Sequence, residues 1–228
     1  MSGVFLLLCA MGMATQVAFI LVERKEKFKL ALVLKTIASV IFIAAGFYAM
    51  QSCPDISHAR WVLAGLILGG VGDFFLNLQF IVKKEMAQKM FLVGAVAFLT
   101  GHVLYMVSIF PYVQDVLLVS LVITAVFTGV TMSWVYRHTE IVFGLKVFGV
   151  VYIGAVALIS IAAAVRYALN PASTASLIFA IGATFFTISD IILIFNMFGE
   201  KKPWMRVANL VFYYLAQLLI AASLLFVM

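Results

Sequence analysis

The sequence predicts an all-α, polytopic membrane protein with about eight transmembrane helices. Of its 228 residues, 66% are hydrophobic and 11% are charged, whereas globular domains average roughly 45–50% apolar and ~25% charged residues. A water-soluble domain of this size cannot bury so much apolar surface, so we expect lipid to surround most of the chain. We therefore interpret residues 1–228 as a single transmembrane helical domain without a separate soluble part.

Eight apolar runs have the ~20 residues that a helix needs to cross a bilayer. We place the spans at about 2–22, 30–50, 59–80, 90–110, 115–135, 141–165, 175–198 and 207–227. Short polar breaks separate them, and Pro111 is assigned to one of these breaks, so no proline falls inside a predicted span. No basic stretch precedes the first run, which is therefore predicted to be a retained span and not a signal peptide.

The basic residues predict the orientation of the chain in the membrane. The first, third, fifth and seventh loops together hold 11 of the 15 Lys and Arg residues, and the other three loops hold 2. The odd loops should therefore face the cytoplasm, with both termini outside.

The net charge of +6 is explained by these loops, so no nucleic acid partner is expected. In a bacterium the chain would lie in the plasma (inner) membrane. Tryptophans at predicted helix ends form the expected aromatic belt: Trp61, Trp134 and Trp204.

A short motif occurs twice along the chain. Helix three contains Gly72-Asp73-Phe74-Phe75-Leu76, and helix seven contains Ser189-Asp190-Ile191-Ile192-Leu193. Helices two and six each carry one lysine near their start, Lys35 and Lys146. A duplicated four-helix unit would explain this pattern.

Five ionisable residues lie where a membrane helix should not carry them. A charge at membrane depth costs ~2.5–3.5 kcal/mol even on insertion scales. With ~1.5 Å of rise per residue, Lys35 and Lys146 lie ~8 Å from the cytoplasmic end of their spans, Asp73 ~10 Å, Asp190 ~12 Å and His102 ~18 Å. Two lysines balance two aspartates, which predicts one polar cavity that opens toward the cytoplasmic half of the membrane.

The helical period predicts which side chains join this cavity. Gly65, Gly69, Asp73 and Asn77 recur every four residues and form one stripe, in which glycine allows a neighbouring helix to approach closely. Helix four places His102 near Tyr105, and helix eight places Tyr213 near Gln217. The candidate substrate-binding residues are the two lysines together with Asn77, His102, Tyr105, Tyr213 and Gln217.

Simpler explanations exist for most of these residues. Each aspartate could have the purely structural role of bonding to neighbouring helices. Both lysines could extend toward the surface along their long stems, and His102 could be a core histidine. Three tyrosines are interpreted as packing residues and not catalysts: Tyr105, Tyr152 and Tyr213. His58 and His138 are assigned to the surface of loops.

A zinc site needs three or four ligands, and only His102 is deep enough, so no metal is predicted. Cys9 and Cys53 are too few for a disulfide framework.

The motifs on four of these helices resemble the YhhN-like lysoplasmalogenase family of eight-helix membrane proteins. They are Gly69-Gly70-Val71-Gly72-Asp73-Phe74-Phe75-Leu76, Phe98-Leu99-Thr100-Gly101-His102-Val103-Leu104-Tyr105, Gly182-Ala183-Thr184-Phe185-Phe186-Thr187-Ile188-Ser189-Asp190 and Tyr213-Tyr214-Leu215-Ala216-Gln217. One departure concerns helix two, where the family often has Lys-Pro and this chain has Lys35-Thr36.

The resemblance implies cleavage of the vinyl ether bond of a lyso-ether-phospholipid, which gives a fatty aldehyde and a glycerophospho-headgroup. Two carboxyl groups suit this reaction, as they suit glycoside hydrolysis. One of Asp73 and Asp190 would donate a proton and the other would activate water, with either assignment open. Lys35 or Lys146 would hold the lipid phosphate. His102 and Tyr105 would position water or a headgroup oxygen. The lysophospholipid is the one expected partner, and no cofactor or obligate protein partner is expected.

Two other functions remain as alternatives. Buried Asp–Lys sets and helix repeats also occur in small-solute or ion-coupled transporters, although these usually contain broken helices. Gly70-Val71-Gly72-Asp73 also fits the GxGD pattern of presenilin-like intramembrane aspartyl proteases. In presenilins that aspartate comes second and a Pro-Ala-Leu motif follows it, which this chain lacks.

Overall fold

The protein is all-α in a computed structural model that describes residues 3–171, 173–200 and 202–226. Within these residues the chain forms eight α-helices: α1 (Gly3–Glu23), α2 (Phe28–Met50), α3 (Ile56–Leu78), α4 (Lys84–Val113), α5 (Leu117–His138), α6 (Phe143–Leu169), α7 (Thr174–Phe198) and α8 (Pro203–Ser223). The predicted order and number of helices are confirmed.

Seven continuous helical segments of the described chain are long and apolar enough to cross a membrane. One of them, Lys84–His138, has 55 residues, which at ~1.5 Å per residue exceeds twice the ~30 Å hydrocarbon core. It consists of α4, a 3₁₀ turn (Gln114–Val116) and α5. Val113, just before the turn, and Val116, its last residue, leave the helical region with φ, ψ values of −120°, 8° and −109°, 0°.

The assignment of Pro111 to a loop was wrong, because it lies within the last turn of α4. Proline lacks the N–H that would bond to the carbonyl of Val107, and the helix stops two residues later, at Val113. Transporters usually contain broken helices, and an absence of prolines from the spans would argue against such breaks. Because Pro111 lies inside α4, that reason against a transporter no longer holds.

Local sequence signals explain where several helices begin. Asp55 accepts a hydrogen bond from the backbone N–H of His58 at 3.0 Å and so caps α3. Ser173 caps α7 by accepting from the N–H of Ser176 at 3.2 Å. Pro203 occupies the first position of α8, where its missing N–H costs nothing.

The first loop is a tight turn closed by backbone bonds. The N–H of Lys27 donates to the carbonyl of Val22 at 3.4 Å, and that of Glu26 donates to Glu23 at 2.8 Å. This pairing is the Schellman motif, whose left-handed residue is usually glycine. Glu26 takes that position here with φ 57°.

The helices group into two compact units. The first contains α1 to α3 and α4 up to Ser108, together with the short segment after α8. The second runs from Ile109 to Ser223 and contains the end of α4 with α5 to α8. The unit boundary therefore falls inside α4, three residues before its proline.

Glycines bring α3 and α4 together in the first unit, as their spacing predicted. A Cβ atom at Gly65 would clash with the ring of Tyr105, and one at Gly72 would lie 2.6 Å from the ring of Phe98. Both rings are buried. The aromatic side chains of α4 thus fill the space that the glycines of α3 leave open.

Gly65→Ala is expected to lower the stability of the purified protein by about 1–3 kcal/mol, because the added methyl must displace the buried Tyr105 ring. Gly129→Ala in α5 is the matched control, since no atom lies within 4 Å of its added Cβ. It should leave stability unchanged or raise it by up to about 1 kcal/mol. Unfolding in detergent would measure both, and equal stability of the two variants would contradict the tight α3–α4 contact.

Candidate functional site

The first unit buries an ion pair between α2 and α3. The ammonium of Lys35 lies 3.3 Å from Oδ1 of Asp73, and the two side chains are 1% and 6% exposed. Gln16 of α1 accepts a hydrogen bond from the same ammonium at 3.4 Å, and the ring of Phe19 lies 5.5 Å from it. Lys35 therefore does not reach the surface along its stem but points into the unit.

Two further side chains hold Asp73 in place. Ser39, one helical turn after Lys35, donates to Oδ2 of Asp73 at 2.6 Å. Asn77, one turn after Asp73, donates to the backbone carbonyl of Asp73 at 2.8 Å. Both carboxylate oxygens of Asp73 thus have a donor within this unit. A buried carboxyl with a cation and a hydroxyl at hydrogen-bonding distance is stabilised in its charged form.

His102 and Tyr105 are buried together on α4 in the same unit. Nδ1 of His102 donates to the carbonyl oxygen of Phe98 at 2.7 Å, and its ring meets that of Tyr105 edge to face with centroids 6.2 Å apart. This bond to the backbone fixes the orientation of the imidazole.

The second unit buries Asp190 of α7 against a tyrosine of α6. The hydroxyl of Tyr152 donates to Oδ2 of Asp190 at 3.0 Å, and the two residues are 8% and 4% exposed. Next to this pair, Ser160 of α6 and Thr187 of α7 share a hydrogen bond of 2.8 Å. Tyr152 was predicted to be a packing residue, and its hydrogen bond to Asp190 was not predicted.

The two aspartates have partners at the same sequence distance. Tyr152 precedes Asp190 by 38 residues, and Lys35 precedes Asp73 by the same interval. A duplicated four-helix unit would produce this register. In such a duplication Tyr152, and not Lys146, would be the counterpart of Lys35. This spacing was the signal in the sequence that could have identified the tyrosine.

Lys146 lies apart from Asp190 within the second unit. Its ammonium sits 5.4 Å from the ring centroid of Tyr136, and it forms no ion pair with any residue that the structure describes. Lys146 as a whole is half-buried.

Tyr213 and Gln217 lie one turn apart on α8, as the helical period predicted. The side-chain amide of Gln217 donates to the hydroxyl of Tyr213 at 3.0 Å, and the Tyr213 ring meets Phe186 of α7 edge to face. One turn earlier on α8, Asn209 donates to the carbonyl of Ser189 at 2.9 Å. These contacts fasten α8 to the helix that carries Asp190.

His58 was wrongly assigned to a loop surface. It lies in α3 with 5% of its surface exposed, and its Nδ1 lies 2.9 Å from the carbonyl oxygen of Ser108. His138 is exposed at the end of α5. Its predicted exposure is thus confirmed, although it ends a helix instead of lying in a loop.

Neither cysteine resembles an activated nucleophile. Cys9 and Cys53 are free thiols. Cys53 lies in the loop between α2 and α3, where burial raises the pKa of its thiol; a reactive cysteine has a lowered pKa. Among the described residues there is also no group of three His, Cys, Asp or Glu side chains that could hold a metal ion.

Comparison with known protein families identifies the family of this chain. The model of the YhhN family matches residues 30–224, so the chain belongs to the YhhN family, which includes lysoplasmalogenases. No curated protein and no solved structure gives a significant match.

Proposed function

We propose that this YhhN family member hydrolyses the vinyl ether bond of lysoplasmalogens, with Asp73 and Asp190 as its two catalytic carboxyl groups. One observation carries the proposal: each aspartate is buried in an apolar helix and held by a donor 38 residues before it. Burying a carboxyl group this way is costly, and membrane proteins retain such residues where they perform a function. Membership of a family that includes lysoplasmalogenases gives independent support.

The proposed chemistry needs one acid and one base. The acid gives its proton to the β-carbon of the vinyl ether, and the double bond shifts to form an oxocarbenium ion. Water attacks that cation and loses a proton to the base. The hydroxyl of the resulting hemiacetal loses its proton as the C–O bond to glycerol breaks, and the glycerol oxygen takes up one proton, which gives a fatty aldehyde and a glycerophospho-headgroup. Loss of the proton from the base to water and uptake of one from water by the acid restore both carboxyl groups. Overall one water is consumed, and no redox or cofactor step is required. Two carboxyl groups perform comparable roles in glycoside hydrolysis.

The contacts of the two aspartates suggest how these roles are divided. The ammonium of Lys35 and the hydroxyl of Ser39 favour the charged form of Asp73, which suits the base that receives a proton from water. Asp190 is then the acid. When it gives up its proton, the hydroxyl of Tyr152 already donates to it and stabilises the charge that develops. Tyr152 is thus a positioning residue.

The substrate in this proposal is a single-chain lipid that enters from the bilayer. Its chain would lie between helices, so the site needs no pocket open to water. His102, Tyr105, Asn77, Tyr213 and Gln217 remain candidate substrate contacts. The site is expected to face the cytoplasmic half of the membrane, with both termini outside, because the basic residues follow that orientation.

Product analysis with purified protein in detergent tests the proposal. A vinyl ether lysolipid and its ester analogue are incubated side by side. We expect fatty aldehyde from the vinyl ether and no fatty acid from the ester. Turnover in detergent, where no gradient exists, also rules out a function limited to transport. Aldehyde release no greater than that of an Asp73→Asn/Asp190→Asn double variant would refute the proposal, and release of fatty acid alone would assign a different lipid substrate.

A further inference from the structure

An open groove of about 480 Å³ lies at one end of the first unit, where α2 begins and α3 has just ended. It is lined by the end of the first loop, the start of α2 and the segment that follows α3: Glu26, Lys27, Phe28, Lys29, Leu30, Phe80 and Ile81. By the distribution of basic residues this is the cytoplasmic end. None of these residues belongs to the cluster around Asp73.

The charged side chains of the groove form no ion pair with any part of the chain that the structure describes. They are Glu26, Lys27 and Lys29, and all three are exposed. The helix does not explain the lysines, because cations are unfavourable at a helix N-terminus and the first turn of α2 has no acidic residue. The groove thus presents two cations beside one anion to whatever occupies it.

The apolar part of the groove consists of two stacked aromatic rings. Phe28 and Phe80 have ring centroids 5.5 Å apart with an interplanar angle of 20°, and Phe80 is 47% exposed. Leu30 is also exposed. An exposed aromatic surface beside unpaired charges suits a ligand that is polar at one end and apolar at the other.

The depth of the groove relative to Asp73 fits a phospholipid. Phe28 precedes Lys35 by seven residues on α2, and Phe80 follows Asp73 by seven, so the groove lies ~10 Å nearer the helix ends than the ion pair. In an extended lysolipid, the phosphorus and the β-carbon of the vinyl ether are roughly 9 Å apart at standard bond lengths. A lipid with its phosphate in the groove could therefore place its vinyl ether near Asp73.

We propose that this groove binds the zwitterionic headgroup of the lysolipid, with its phosphate at Lys27 and Lys29 and its ammonium at Glu26. The glycerol carbons would lie on the rings of Phe28 and Phe80. In this site Lys27 and Lys29 would bind the phosphate in place of Lys35, the earlier candidate. The ammonium of Lys35 instead contacts Asp73 and Gln16. The inference rests on the proposed function for its choice of a single-chain phospholipid.

Binding of a lipid that cannot be hydrolysed tests the groove without any need for turnover. The ligand is a saturated 1-O-alkyl lysophosphatidylethanolamine, titrated into the purified full-length protein in detergent. Lys27→Gln/Lys29→Gln should raise its Kd at least about tenfold, because two charge-assisted contacts are lost. Lys83→Gln/Lys84→Gln is the matched control. It removes the same charge from exposed positions at the same end of α3 and α4 but outside the groove, and it should change the Kd less than about twofold. Equal effects of the two double variants would overturn the proposal.

A second comparison tests the role of Glu26. Wild-type protein should bind the ethanolamine lipid more tightly than lysophosphatidic acid, which lacks the ammonium. Glu26→Gln should weaken binding of the ethanolamine lipid while lysophosphatidic acid binds equally or better. An unchanged preference would overturn the assignment of Glu26.

Two competitors separate a lipid site from a general anion site. Glycerophosphoethanolamine should displace the lipid weakly and inorganic phosphate more weakly still, and equal competition by phosphate would overturn the headgroup assignment. These experiments also distinguish a failure of the groove assignment from a failure of the proposed hydrolysis. Aldehyde release with no change of Kd in the groove variants would reject the groove alone, whereas the expected binding pattern without aldehyde would reject the hydrolysis alone.

Discussion

Asp190→Asn is expected to lower kcat for aldehyde release at least about 10²-fold, because an amide cannot give the vinyl ether its proton. The substitution keeps the size of the side chain and its bond from Tyr152, so the fold should be retained. Initial rates of aldehyde release over a range of substrate concentrations measure the effect. Asp115→Asn is the matched control, since Asp115 makes an exposed ion pair with Arg166. It should leave kcat within about twofold, and similar losses in both variants would contradict the role of Asp190.

Hydrogen exchange into the substrate separates the two proposed roles. In D₂O, Asp73→Asn keeps the acid but lacks the base that assists water, so protonation of the β-carbon can reverse. Unreacted substrate recovered from this variant should therefore carry deuterium at its vinyl β-carbon, as mass spectrometry would show. Substrate recovered from Asp190→Asn should not. The opposite pattern would reverse the roles and leave the hydrolysis intact.

Tyr152→Phe should lower kcat by about tenfold or more with little change in KM, because the lost hydroxyl stabilises charge only as Asp190 gives up its proton. A purely structural role of the tyrosine would instead lower stability and leave the kcat of the folded fraction unchanged. The amount of folded protein, measured by size-exclusion chromatography in detergent, separates these outcomes.

The sequence predicted the helices and several of their contacts for identifiable reasons. Lipid solvent imposes long apolar runs, so eight helices could be counted directly. Glycine at a four-residue spacing indicated the close approach of α3 to another helix, and Gly65 of that stripe meets Tyr105 of α4. Gly72, which lies outside the predicted stripe, meets Phe98 of the same helix. Pro111 was misplaced because a proline can end a helix from within its last turn.

The partners of buried polar groups were harder to predict. A tyrosine in an apolar helix is usually a packing residue, so Tyr152 was interpreted as one, although it precedes Asp190 by the same 38 residues that separate Lys35 from Asp73. Conversely, Lys35 and Lys146 look alike in sequence, yet one contacts an aspartate and the other a tyrosine ring. Periodicity shows which face of a helix a residue occupies, but the partner depends on the neighbouring helix. His58 was misplaced for the same reason, because the carbonyl that it contacts belongs to α4.

Lys35→Met is expected to destabilise the protein by about 3–5 kcal/mol, because it removes the cation from a buried carboxylate. Methionine fills most of the space of the lysine stem, so the loss reports on charge more than on packing. Unfolding in detergent measures it. Lys202→Met is the control, since its ion pair with Glu200 is largely exposed and should contribute no more than about 1 kcal/mol.

A double-mutant cycle shows whether the loss arises from the unpaired charge. Lys35→Met/Asp73→Asn leaves no buried charge at the pair, so it should be more stable than Lys35→Met alone. Both variants should lack activity if Asp73 needs its charge to activate water. A double variant that is no more stable than Lys35→Met would mean that Lys35 contributes through packing and that its ammonium does not keep Asp73 charged. Recovery of stability without recovery of activity would show that the ion pair is retained for catalysis at a cost to the fold.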